Sequence, residues 1–175
     1  MLGDYSDAIF TLRTKYARAP KIRAMDELDK AILRVLQSDA RKSNRDVAAA
    51  VGVSPTTALD RTRGLRARGI IRGTSLDVDL PALGRPVQAL IAVRIRPPSR
   101  ATIEAFRDWA TGRPETLGVF VTTGTEDFII HLAVADNDSL YAFVIDELTQ
   151  RSEVADVRTS VVYEHIRNRR IEPLG

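Results

Sequence analysis

Apolar residues recur at helical spacing in the first half of the chain and largely at alternate positions in the second, which predicts two kinds of module. From Asp26 to Ser38, Leu28, Ile32, Val35 and Leu36 fall at i, i+4, i+7 and i+8, the stripe of a helix with one buried face. Asp26 can cap it, and Asp29 places a second acid in the first turn, where the helix dipole favours negative charge. Ser43 with Asp46 three residues on reads as a capping box. Val47, Ala48 and Val51 then share one side of a short helix, and Gly52 can take the left-handed conformation that ends it. Ser54 followed by Pro55 is an N-cap with a first-turn proline, so another helix starts almost at once. Its inward stripe is Ala58, Thr62 and Leu65, and Gly69 stops it. Helix, glycine turn, helix is the sequence form of a helix-turn-helix, whose second helix enters the major groove. An ordinary helical hairpin with a solvated basic face shares the pattern.

Gly69 to Val78 reads as extended, a short wing-like strand after the three helices. Pro81, Gly84 and Pro86 then punctuate a hinge. From Gln88 the runs QALIAVRIR, TLGVFVT, EDFIIHLAV and VADVRTSVVYEHI are strands, while SRATIEAFRDWATG and NDSLYAFVIDELTQR are helical. That order, βαββαβ, is the ferredoxin-like arrangement: a four-stranded antiparallel sheet with both helices on one face. The fold class is therefore α+β. The expected divisions are an extension at 1–25, a winged helix-turn-helix at 26–76, a hinge at 77–87, the ferredoxin-like domain at 88–167 and a tail at 168–175. In the extension, Ala8, Ile9 and Leu12 at loosely helical spacing precede Lys15, Arg18, Lys21 and Arg23. Two readings fit it, an arm on DNA or a partner subunit and a mobile terminus.

Alternation predicts that Ile91, Val93, Ile95, Val119, Val121, Phe128, Ile130, Leu132, Val161 and Tyr163 lie under the helices. The opposite face still carries Leu90, Ala92, Phe120, Ile129, Ala133 and Val162. A sheet covered on one side should be polar on the other unless something covers that too. A second copy of the same sheet, packed about a two-fold axis, is the simplest cover.

Charge sharpens the division of labour. Residues 1–75 hold 15 Lys/Arg against 8 Asp/Glu, a net +7, whereas residues 76–175 hold 11 against 15, a net −4. A basic front half points to a polyanionic partner there. The absence of cysteine excludes disulfides, thiol chemistry and zinc-finger clusters. No apolar run of about 18 residues and no secretory leader are evident, so a cytoplasmic protein without a membrane partner is expected. An enzyme is not expected either. The only histidines, His131 and His165, lie on separate strands with no metal-ligand spacing and no nucleophile–base pair. No metal or cofactor is called for.

On the second helix of the motif the outward residues are Thr56, Thr57, Asp60 and Arg63, near the end that reaches base edges. Arg63 can pair with guanine, and Ser54 and the threonines with bases or phosphates. Arg41, Lys42, Arg45, Arg66, Arg68 and Arg72 suit phosphates or stay solvated. Arg61 falls near the inward side, where a structural ion pair and a DNA contact are equally compatible with its position. Gly64, inside the helix, either permits a close backbone approach or weakens the helix.

Between the central strands, Thr122-Thr123-Gly124-Thr125-Glu126-Asp127 offers a glycine turn whose N–H groups can hold a carboxylate, with Glu126 or Asp127 to meet an ammonium. A plain hairpin with solvated acids fits as well.

The run from Leu28 to Gly73, above all SPTT-x3-R-x3-L-x3-G-x-I, resembles the DNA-binding half of the Lrp/AsnC transcription regulators. The chain from Leu76 onward, with its G-T-E-D turn, is similar to their effector-binding half, the RAM domain. The resemblance implies homodimers, often assembling to octamers, that bind double-stranded DNA and respond to an amino acid bound between RAM domains. Gly124 and Asp127 match the family's G-x-x-D turn. Thr159 and Val161, with Ser160 between them, match its T-x-V in the last strand, near the effector. Thr62 departs from the family's usual valine, Gly64 from a common basic residue, and Thr74 from a frequent aromatic. A small enzyme and an effector-independent architectural DNA-binding protein are the competing readings.

Overall fold

The computed structural model describes residues 25–173; the readings of the N-terminal extension lie outside them. The chain divides into two compact units, one holding the described residues up to Asp77 together with Ile166 onward, the other Val78–His165.

The first unit contains α1 (Glu27–Ser38), α2 (Asn44–Val51) and α3 (Pro55–Ala67). Each starts where the sequence places a cap. Asp26 accepts from Asp29 N–H, Ser43 and Asp46 form a reciprocal capping box, and Ser54 accepts from Thr57 N–H ahead of Pro55. Gly52 ends α2 at φ 73°, a left-handed turn that glycine takes without a Cβ clash. Ile32, Val47, Ala48, Ala58 and Leu65 are buried together, with Leu28, Val35, Leu36 and Val51 packed at the margin. Residues 70–80 contain no strand, so the expected wing is absent as a hydrogen-bonded element. Ile70 and Ile71 instead send their N–H groups back to the Leu65 carbonyl.

The second unit is a sheet of β1 (Val87–Ile95), β2 (Thr116–Val121), β3 (Phe128–Val134) and β4 (Val154–Val162), ordered β2-β3-β1-β4 and antiparallel throughout. The connections carry α4 (Arg100–Thr111) and α5 (Asn137–Ala142), the latter continuing as a wider π-helical turn over Phe143–Leu148. Ala89, Ile91, Val93, Ile95, Phe128, Ile130 and Leu132 are buried with Phe106, Ala110, Phe143 and Leu148. Trp109 joins this core, its ring centroid 5.4 Å from Phe106 and 6.1 Å from Phe143.

β4 departs from the expected cover. Val161 is 47% exposed and Tyr163, beyond the strand, fully so; Val154 and Val157 pack against the core in their place. β4 is an edge strand, paired only with β1. On the opposite face Phe120 is 58% and Leu90 38% exposed, Ala92, Ile129 and Val162 are half-buried, and Ala133, expected there too, is buried.

Thr62 has a cost. It is 4% exposed, and its Oγ1 has no hydrogen-bond partner among the described residues. A buried hydroxyl left unpaired costs about 1–3 kcal/mol. Thr62→Val, which keeps the shape and removes the hydroxyl, is expected to raise the stability of the helix-turn-helix unit by about 1 kcal/mol in urea unfolding.

Candidate nucleic-acid interface and effector turn

The direction of α3 is set from α1. Asp29 is 3% exposed, and its carboxylate meets two guanidiniums: Arg61 Nη1 at 3.3 Å and Arg68 Nη2 at 2.5 Å. Arg61 also reaches Asp26 at 2.5 Å. Charge-assisted contacts at two places along α3 brace it against α1. Arg61 is thus turned inward to carboxylates, and so is Arg68, which also donates to the Gly64 carbonyl at 3.3 Å.

The outward side differs. Thr56, Asp60, Arg63 and Arg66 are exposed, and among the described residues neither Arg63 nor Arg66 has an ion pair. Ser54 is occupied as the cap, with Thr57 Oγ1 2.8 Å from its hydroxyl. Arg41 leans on Asp39 at 3.4 Å, and Lys42 is exposed beside it. At Gly64, no atom lies within 4 Å of where a Cβ would sit, so packing inside the chain does not require glycine there. Sequence reasoning missed Asp29 as the organising acid because a first-turn acid reads as a dipole partner; only the fold brings Arg68 to it.

In the second unit the turn after β2 is tied at several points. Gly124 has φ 124°, in the region that favours glycine. Thr122 Oγ1 donates to the Glu126 carbonyl at 2.6 Å, and Thr122 N–H to the Asp127 carbonyl at 2.9 Å. Asp127 is 5% exposed, and its carboxylate accepts from Ile95 N–H at 2.8 Å with Arg96 Nη1 at 3.5 Å. Both acids of the turn therefore have partners within the chain. Glu126 pairs with Arg158 of β4, while its other oxygen, Oε2, is buried without a hydrogen-bond partner. That ion pair joins the turn to β4, where Thr159, Ser160 and Val161 follow directly. Thr123 is exposed at the tip. Arg158 was not singled out in the sequence because it is one basic residue among many. His131 and His165, on separate segments, meet edge to face at 5.3 Å, and His131 Nε2 lies 3.0 Å from Gln88 Oε1.

Among the described residues no cluster of three or more acidic, histidine or cysteine side chains suits a metal, and no helix is long and apolar enough to cross a membrane.

A braced recognition helix in one unit and a βαββαβ sheet in the other define a helix-turn-helix DNA-binding protein with a separate ferredoxin-like domain. The AsnC-type helix-turn-helix domain matches residues 25–66, and the Lrp/AsnC ligand binding domain matches residues 88–171. The transcriptional regulator AldR of Mycobacterium tuberculosis is 35% identical over 166 residues, covering 95% of this chain and 93% of its own. Among solved structures, a transcriptional regulator of Neisseria meningitidis in complex with L-Met superposes with a TM-score of 0.77 at 30% identity, covering 83% of this chain and 94% of its own. Escherichia coli AsnC does so with a TM-score of 0.75 at 27% identity, covering 86% and 99%. The chain belongs to the Lrp/AsnC family of transcription regulators. Its relatives are helix-turn-helix regulators, not enzymes.

The braced acids predict a pH response. Asp26 titrates below the usual 3.8, because it accepts from Asp29 N–H and holds Arg61. A carboxyl with a lowered folded value contributes stability above about pH 4 and loses it as pH falls through that lowered value. Asp26→Asn is expected to flatten the acid limb of helix-turn-helix unfolding, read by circular dichroism between pH 5 and roughly 2. Asp29→Ala, which strips two guanidiniums of their buried partner, is expected to cost about 3 kcal/mol, at the low end for such pairs because both arginines are partly exposed.

Proposed function

We propose that the chain is a sequence-specific, effector-responsive transcription regulator that reads operator DNA with the outward face of α3. The observation that carries this is the sorting of the arginines. Arg61 and Arg68 turn inward to Asp29, while Arg63, exposed beside Asp60 and Thr56, keeps its guanidinium for the major groove. Arg61 and Arg68 then hold the helix rather than touch DNA. Arg66, Arg41 and Lys42 supply phosphate contacts that position it without choosing sequence. Ser54 and Thr57 serve the helix N-terminus, leaving Thr56 for the bases.

The effector we assign to the 122–127 turn and the start of Thr159–Val161 is an amino acid. The exposed turn at Thr123 and Gly124 suits a carboxylate, and the negative charge of Glu126 beside it suits an ammonium. The Neisseria relative, whose structure contains L-methionine, supports ligand chemistry of this class. Asp127 acts as the post that ties the turn to β1 through Ile95 N–H. The open sheet face, with Phe120 and Leu90, is the surface on which we place a second copy, giving a dimer with two recognition helices for a pseudo-palindromic site. Octamers are a further step in the same family logic. Coupling requires that the amino acid bind one assembly geometry better than the other. The expected cell compartment is the cytoplasm, where DNA and free amino acids meet.

A thermal-shift panel of the twenty amino acids should show at least one that raises the melting temperature by mass action. If none does, the effector-independent architectural reading takes over. Glu126→Gln is expected to weaken that ligand about tenfold or more, the scale of a charge-assisted hydrogen bond, in titration calorimetry. Arg63→Ala is expected to weaken operator binding by about 1–3 kcal/mol at matched salt and to relax specificity at one base pair, read by footprinting and competition. Unchanged operator affinity would remove Arg63 from the reading face.

A further inference from the structure

The segment after β4 is held to the helix-turn-helix unit by polar anchors, not by apolar burial. Gln37 of α1 grips Ile171 with both amide atoms: Gln37 Nε2 donates to the Ile171 carbonyl at 3.1 Å, and Ile171 N–H donates to Gln37 Oε1 at 2.7 Å. Arg34 donates to both carboxylate oxygens of Glu172 at 2.9 and 3.0 Å. The side chains of Ile166 and Ile171 are meanwhile 82% and 71% exposed. The segment is thus a strap laid along α1.

Its charge is lopsided. Arg169 lies 2.5 Å from Asp77 and Arg167 3.6 Å from the same carboxylate, so two guanidiniums share one acid. Arg170 is exposed and has no ion pair among the described residues. Arg167 and Arg169 line a cleft of about 840 Å³ whose wall also includes Arg66 of α3 and Arg72 after it. The strap therefore adds positive charge to the unit that carries the recognition helix, beside two arginines already suited to phosphate. Arginine is apt for this, because its planar fork meets phosphate oxygens two at a time.

We propose that the strap, residues 166–173, is a second DNA-contacting element, whose Arg167, Arg169 and Arg170 take backbone phosphates of duplex flanking the bases read by α3. The inference rests on the DNA-binding reading above. These contacts neutralise phosphate and carry no base preference, so they act alike on operator and on mixed-sequence duplex.

The test is the salt dependence of binding by the full chain to a mixed-sequence duplex of about 40 base pairs, long enough to span a dimeric site with flanks. Each arginine that meets a phosphate contributes roughly 0.9 to the slope of log affinity against log salt. Changing Arg167, Arg169 and Arg170 together to glutamine is expected to lower that slope by roughly 2 to 3 per protomer. The matching triple lysine variant should retain most of it. Gln37→Ala breaks two anchors without changing charge and should leave the slope as it was. A triple glutamine variant with the wild-type slope and an unchanged melting temperature overturns the proposal. Failure of the unaltered protein to bind any duplex would sink the DNA-binding reading, and the strap's role with it.

Discussion

Asp29 is a carboxylate buried to 3% exposure with a guanidinium against each of its oxygens, Arg61 at 3.3 Å and Arg68 at 2.5 Å. Such a group is costly to bury alone and tolerable only when paired, and the two arginines supply that pairing. Because the acid belongs to α1 and the bases to α3 and its C-cap, satisfying it fixes the rotation of α3 about its own axis. That rotation decides which side chains face outward. Thr56, Asp60 and Arg63 are presented because Arg61 is withdrawn.

The same economy governs the second unit. Asp127, 5% exposed, accepts from Ile95 N–H and thereby ties the β2–β3 turn to the end of β1. Glu126 reaches Arg158 and ties the turn to β4. The acids that look available for a ligand in the linear chain are first of all struts. What is left over is the exposed backbone around Gly124 at the tip of the turn, held in place by those struts.

The sheet shows why two faces of one element meet different fates. Ile91, Ile130 and Leu132 are buried completely because α4 and the α5 segment lie over them. Phe120 and Leu90, one residue out of phase, have no such cover within the chain. β4 lies at the sheet's edge and pairs on one side only, and Val161 is half in solvent there although its phase matches the buried set.

Much of this was legible from residues alone. Caps at Asp26, Ser43 and Ser54, the turn at Gly52 and the βαββαβ order are local: each depends on a few neighbouring side chains or on a short-range period, and these act in any context. The inward stripes followed for the same reason. Four features were not legible, because each depends on whether residues far apart in the chain meet. Asp29 meets Arg68 across 39 positions and Glu126 meets Arg158, and no period or spacing announces either. The expected wing failed because residues 70–80 find no ladder partner among the described residues, and an extended propensity cannot supply one. The tail, expected only as residues 168–175 after the last domain, is drawn to α1 by Gln37 and Arg34 more than 130 residues earlier. By itself the sequence determined which elements form and which faces are apolar, since those are set by local geometry and by water. Only the tertiary structure decided which charges are spent on holding the molecule together and which remain for its partners, since an ion pair exists only once folding has brought its two ends into reach.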